Sequence, residues 1–265
     1  MIRAALSTLA LAIAAPAAAA DALALRPAVD GPVLLTTATY SVLTLYLLPD
    51  RPPVYVRTVA PEGLDAGVAG VPEAEGAVPL MSDVLAYGGV GLGLIAAPLY
   101  GATHRGKGAD GKGRAAWAHG VVFAQTVTTT ITITDVMKTA SRRPRPYTHA
   151  EGFEVTEADD QMSFPSGHSA TAGAASFGLA HQIVLTSDLS PGAAAGLYGV
   201  ATAWTASTAA LRVAARKHYP TDVLMGSLLG ASVGIVVPEL HRASRMRLSA
   251  GRDGDRTMVA LSGAW

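Results

Sequence analysis

Three polar clusters interrupt an otherwise apolar chain of 265 residues. KTASRRPRP runs from Lys138 to Pro146, FPSGHS from Phe164 to Ser169, and RVAARKHYPTD from Arg212 to Asp222. Together they offer fixed positive charges on Lys138, Arg145 and Arg212, a hydroxyl and backbone N–H groups at Ser166 and Gly167, the histidines His168 and His218, and the carboxylate of Asp222. Forked guanidinium donors match phosphate oxygens, and Pro-Ser-Gly at a helix start presents N–H groups to an anion. His218 and Asp222 are four residues apart, with Pro220 and Thr221 between them to open a helix, so the carboxylate can reach back to the imidazole. A carboxylate on one ring nitrogen fixes the tautomer and leaves the other nitrogen nucleophilic. His168 then remains as the acid for a leaving oxygen. An anion clamp, an activated histidine and a second histidine describe phosphoryl transfer through a phosphohistidine. The basic residues neutralise the developing charge, so the reading calls for neither metal nor cofactor.

Something must bring these clusters together. Six apolar segments, near 32–48, 83–100, 116–138, 167–187, 192–211 and 221–239, lack period-2 alternation and are rich in Ala and Leu, which predicts helices. Cluster one ends the third segment, cluster two begins the fourth, and cluster three joins the fifth to the sixth. In a bundle of about six helices that alternate in direction, all three fall on one rim. The sixth segment carries Gly226, Gly230 and Gly234 on one stripe, continued by Asp222, which lets a neighbouring helix approach closely. The third is crowded with Thr, whose hydroxyls can bond the preceding turn. The expected fold is an all-α bundle with its site on one rim.

The pattern Lys138-x6-Arg145-Pro146, then Pro165-Ser166-Gly167-His168, then Arg212-x5-His218-x3-Asp222 resembles the type 2 phosphatidic acid phosphatase (PAP2) family. Its superfamily includes the class A acid phosphatases and the vanadium haloperoxidases. The resemblance spans residues 80–240. It implies that His218 is the nucleophile, that Asp222 orients it and that His168 is the general acid. It also implies that Lys138, Arg145, Arg212, Ser166 and the Gly167 amide hold the phosphate. The family spacing selects Arg145-Pro146 over Arg143-Pro144. One departure stands out: Leu211 precedes Arg212 where the family has Ser, which bears on substrate preference.

Each cluster has an ordinary reading by itself. Arg142, Arg143 and Arg145 resemble a basic stop after an apolar helix, His218 and Asp222 a helix-start ion pair, and Pro-Ser-Gly a helix N-terminus. Asp135 is placed to position Lys138 three residues on. Arg216 and Lys217 read as solvated charges, and the other five histidines match no motif. Order and spacing together favour the catalytic reading. Two further patterns are set aside. DGDRT, from Asp253, fits another phosphatase class but lacks the α/β domain that chemistry requires. GGVGLGLIAA, from Gly88, lies in an apolar helix and reads as packing rather than dinucleotide binding.

Composition bounds the rest. Half the chain is hydrophobic, 15% is charged, the formal net charge is zero and cysteine is absent. These values argue against a nucleic-acid partner and exclude disulfides and thiolate sites. Residues 1–20 read as a signal peptide, with Arg3, an apolar run and small residues before Asp21. Residues 21–248 form the phosphatase-like domain and 249–265 a tail. Basic charge at 101–115 and after 239, against acidic loops at 50–80 and 147–164, places the site on the periplasmic side. A cleaved signal conflicts with six spanning helices, unless the first segment, bounded by Pro32 and Pro49, stays outside the bilayer. Inner-membrane association is favoured over a soluble periplasmic bundle. The expected substrate is then a lipid phosphate, monoester or diphosphate. The alternatives are a soluble broad-specificity acid phosphatase, a vanadium-dependent haloperoxidase and a non-enzymatic membrane protein.

Overall fold

The computed structural model describes residues 22–44, 61–105, 108–242, 247–253 and 256–262. Six α-helices carry the six apolar segments: α1 (Pro27–Val42), α2 (Ala77–Tyr100), α3 (Gly108–Ser141), α4 (Gly167–Thr186), α5 (Pro191–Ala214) and α6 (Pro220–Leu240). An antiparallel hairpin, β1 (Arg247–Asp253) and β2 (Arg256–Ser262), follows them. It begins just inside the boundary expected for the tail. Asp253 ends β1 and Arg256 and Thr257 lie in β2, while Gly254 and Asp255 lie outside the described residues. The proposed signal peptide lies outside the described residues.

α4 is the centre of the bundle and packs against α2, α3, α5 and α6. Its closest neighbour is α6, and the glycine stripe is the reason. A Cβ on Gly230 would lie 2.0 Å from the Ala170 carbonyl oxygen, and one on Gly226 would lie 2.4 Å from that of Ser166. The two backbones touch along Gly226, Gly230 and Gly234. The contact ends at the rim, where the Ser166 N–H donates to the Asp222 carbonyl at 3.0 Å. Backbone contact therefore fixes the PSGH turn beside the start of α6.

The other helices are fastened in kind. A Cβ on Gly93 of α2 would meet Phe123 of α3 at 2.0 Å, and Phe123 packs with Ala97, Val127 and Ala175 in the core. This is the helix-packing role expected of GGVGLGLIAA. Thr126, Thr128, Thr130 and Thr132 each donate to the carbonyl four residues back, as expected of a Thr-rich apolar helix. α1 lies on α3 through Thr37–Thr128 (2.9 Å) and Tyr40–Asp135 (2.6 Å).

Three helix starts differ from expectation, α2 among them, which begins at Ala77 rather than near 83. α1 starts at Pro27, with Pro32 inside it. Pro27 suits the first helical position, and the buried Asp30 carboxylate accepts the Arg26 N–H, so the start lies five residues earlier than Pro32 suggests. The Gly-rich stretch 101–115 is mostly helical: a π turn covers Gly101–Arg105 and α3 begins at Gly108. Close packing outweighs the weak helix propensity of Gly here, since a Cβ on Gly101 would lie 2.5 Å from the Ala115 carbonyl oxygen.

Among the described residues, two helical stretches are long and apolar enough to cross a membrane by length and composition, Ala77–His104 and Pro220–Leu240. Both expose large apolar side chains, including Leu80, Leu92 and Ile95 on α2 and Leu224, Leu228 and Leu240 on α6.

Candidate active site

The ends of α2, α3, α4 and α5, with the segment before α6, surround a cavity of about 370 Å³. Lys138, Arg145, Gly167, His168 and Arg212 line it, brought from three separate clusters as expected. His218, Asp222 and Ser166 lie behind this wall, each almost wholly buried.

His218 is held by its backbone neighbours. Nδ1 is 2.8 Å from the Ser163 carbonyl oxygen, and a carbonyl only accepts, so Nδ1 carries the proton. The lone pair is therefore on Nε2, which is 3.4 Å from an Arg145 guanidinium nitrogen. Burial, then the charges of Arg145, Lys138 and Arg212, hold the His218 pKa well below its ordinary 6.5, against the Ser163 bond that raises it. The imidazole is therefore held in its neutral form, with its lone pair on Nε2.

The expected direct bond from Asp222 to His218 is replaced by an indirect one. Asp222 Oδ2 is 3.7 Å from Nδ1, beyond hydrogen-bond reach. The carboxylate is taken up instead by the Ser163 hydroxyl at 2.5 Å, the Tyr219 N–H at 2.9 Å and Arg143 at 2.6 Å. A carboxylate at the third position of a helix turns back to the N–H groups of its own N-terminus, and this pulls it off the imidazole. Ser163 links the two residues, with its hydroxyl on Asp222 and its carbonyl on His218.

Arg143 did not stand out in the sequence beyond a basic stop. It bridges Asp222 and Asp65, both at 2.6 Å, and its guanidinium lies 4.1 Å over the Tyr219 ring. Asp65 also receives the Thr221 N–H and hydroxyl. The 50–80 region thus contributes a buried acid that fixes the start of α6; composition had marked it only as an acidic loop.

The phosphate-binding set divides. Arg212 donates to Ser82 at 3.1 Å and lies 3.4 Å from Asp83, and its Nε has no partner among the described residues. Nor, among those residues, does the buried hydroxyl of Thr134, which also lines the cavity. Burial, then the Arg145 charge, lowers the Lys138 pKa to about 8. Arg145 donates to the Asp159 carboxylate at 2.6 Å and to the Asp159 and Lys217 carbonyls. Desolvation pushes the Asp159 carboxyl upward, but the Arg145 and Lys138 charges outweigh it and keep it far below the usual carboxylate range. Ser166 caps α4, its hydroxyl accepting from the Ser169 backbone N–H at 3.4 Å and from the Ser169 hydroxyl at 3.1 Å. The acidic 147–164 loop is tied to the site by Arg145, whose backbone N–H donates to the Asp160 carbonyl at 2.8 Å and whose guanidinium holds Asp159, while the Asp160 carboxylate accepts from Tyr147, Thr156 and Glu157 within the loop.

His168 Nε2 touches Asp83 Oδ1 at 2.8 Å, off the line of a hydrogen bond. Burial, then the charges around it beginning with Arg212, drives the His168 pKa down to about 2. An anion in this cage would reverse that repulsion. Lys217 pairs with Glu73 at 2.5 Å rather than standing in solvent. Asp135 accepts from Tyr40 beside the cavity. Three histidines without a motif are structural: His119 bonds Gln182, His181 bonds Tyr198 and His241 bonds Asp30. Among the described residues no group of three or more His, Asp or Glu is placed to hold a metal ion. The convergent cations make an anion site, suited to phosphate or a phosphate-shaped oxyanion.

Residues 119–246 match the family model of the PAP2 superfamily. The solved structures similar to this chain include a transmembrane PAP2-type phosphatidylglycerolphosphate phosphatase of Bacillus subtilis. It shares 20% identity at a TM-score of 0.45, over 80% of this chain and 94% of that one. Another is LpxE of Aquifex aeolicus, with 22% identity at a TM-score of 0.41, over 63% of this chain and 88% of that one. No curated protein sequence matches the chain.

Proposed function

We propose that this chain, whose residues 119–246 match the PAP2 superfamily model, is a phosphatase acting through a phosphohistidine. The observation that carries the reading is the pairing of a neutral His218, locked with its lone pair on Nε2, with the cation cage of Lys138, Arg145 and Arg212. His218 Nε2 attacks phosphorus, the bond to the leaving oxygen breaks, and His168 hands that oxygen a proton. Water then attacks the phosphohistidine, with His168 taking back a proton, and inorganic phosphate leaves. The cations hold the equatorial oxygens and stabilise their growing charge, which makes the reaction metal-independent.

The substrate class in this proposal is a lipid phosphate. Exposed Leu and Ile side chains on α2 and α6 suit a bilayer, and both helices begin at the site rim. The opposite rim bears Lys112, Arg114 and Arg242, so the positive-inside rule puts the site on the periplasmic face. The test is phosphate release from phosphatidate and from a chromogenic monoester, in EDTA, by the wild type and His218→Ala. Release that survives chelation and vanishes in the variant is the expected result. Equal release by the variant would sink the mechanism.

A further inference from the structure

The cavity wall around the proton donor is built by α2, which lies outside the matched residues 119–246. Asp83 Oδ1 is 2.8 Å from His168 Nε2 and 3.4 Å from Arg212. Ser82 accepts from the same guanidinium, and Tyr87, one turn on, sets its ring edge-on to His168 with centroids 5.1 Å apart. We propose that Asp83 is a specificity residue that selects phosphomonoesters with uncharged leaving groups over diphosphates. This rests on the reading of His168 as the acid for the leaving oxygen.

Asp83 Oδ1 lies beside His168 Nε2, so a leaving oxygen that comes within reach of Nε2 also comes close to Asp83. An alcohol brings no charge there. A diphosphate brings a second phosphate, whose anionic oxygens would face the half-exposed Asp83 carboxylate at close range, where like charges repel. The cations lining the cavity do not relieve this. Lys138, Arg145 and Arg212 serve the transferred phosphoryl group in the proposed mechanism, and Lys217 is engaged by Glu73.

Geranyl phosphate and geranyl diphosphate share one tail and differ in leaving-group charge, which makes them the matched probes. The wild type should show a kcat/KM at least about tenfold higher on the monophosphate, a like-charge effect of about 1.4 kcal/mol. Asp83→Asn should shrink that ratio about tenfold by gaining activity on the diphosphate, while Asp83→Glu keeps the wild-type preference. A wild type that shows no preference, or prefers the diphosphate, would overturn the inference without any variant. So would an Asp83→Asn protein that loses activity on both probes alike, since that marks a residue that only positions His168. No release from either probe would overturn the phosphatase reading itself, whereas His218-dependent release without preference would overturn this inference alone.

Discussion

His218 gives its Nδ1 proton to the carbonyl of Ser163, and Asp222 reaches the imidazole only through that same residue. The tautomer is therefore set by backbone, and the carboxylate holds the backbone in place. Asp222→Asn should lower kcat about 10–100-fold, the usual cost of losing an outer-shell partner. His218→Ala should abolish turnover. Steady-state kinetics on one monoester separates these; an Asp222→Asn protein as inactive as His218→Ala would contradict the indirect link.

The fully buried Asp222 carboxylate also pairs with the partly exposed Arg143. Asp222→Ala leaves that guanidinium with Asp65 and Thr221 and orphans the Ser163 hydroxyl and the Tyr219 N–H. It should destabilise the protein by about 3 kcal/mol, the cost of leaving buried donors unpaired. Denaturant unfolding of the two proteins in the same detergent would show it.

The α4–α6 contact leaves no space for a methyl group. Gly230→Ala would put a Cβ 2.0 Å from the Ala170 carbonyl oxygen. It should cost about 3 kcal/mol and lower activity as well, because forcing α6 off α4 separates Asp222 from Ser166. Gly192→Ala, near the start of α5 where a Cβ meets nothing within 4 Å, is the control and should behave as wild type.

Asp159 occupies the fork of Arg145 that a phosphate would need. Asp159→Asn should lower KM several-fold with little change in kcat, since it removes a competing anion and leaves the reacting groups in place. An unchanged KM would show that the carboxylate moves aside without cost.

The cage should bind anions more tightly as pH falls. An anion raises the pKa of Lys138 from about 8 and of His168 from about 2, so the complex holds more protons than the free protein. Affinity is then lost as pH rises, most steeply above pH 8 where free Lys138 is neutral. Sulfate stays a dianion across this range. Calorimetric titration with sulfate, in two buffers of different ionisation enthalpy, should show weaker binding at pH 9 than at pH 7, with proton uptake. Proton release on binding would reverse the sign and refute the account.

Much of the bundle was legible beforehand because its signals are local. Apolar runs without alternation, Pro and Ser at helix starts and the i, i+4, i+8 glycines each act within a few residues, and α2 to α6 appear where those signals put them. Boundaries slipped at Pro32 and at the glycines of 101–115, where buried contacts with distant residues outweighed local preference.

The candidate site divides in the same way. Sequence alone identified Lys138, Arg145, Gly167, His168, Arg212, His218 and Asp222, because contiguous motifs carry them, and chain direction in a bundle sufficed to predict one rim. The tertiary structure decided how they are used. Asp65 and Asp83 enter the site region without any motif, Arg143 does so from a position the family spacing passed over, and Asp222 is drawn to Ser163, Tyr219 and Arg143 instead of directly to His218. A buried charge takes whichever donors surround it most closely, and those donors come from residues up to 156 positions away, as Thr221 on Asp65 shows. No local pattern encodes that choice; it is made when α4 and α6 meet backbone to backbone.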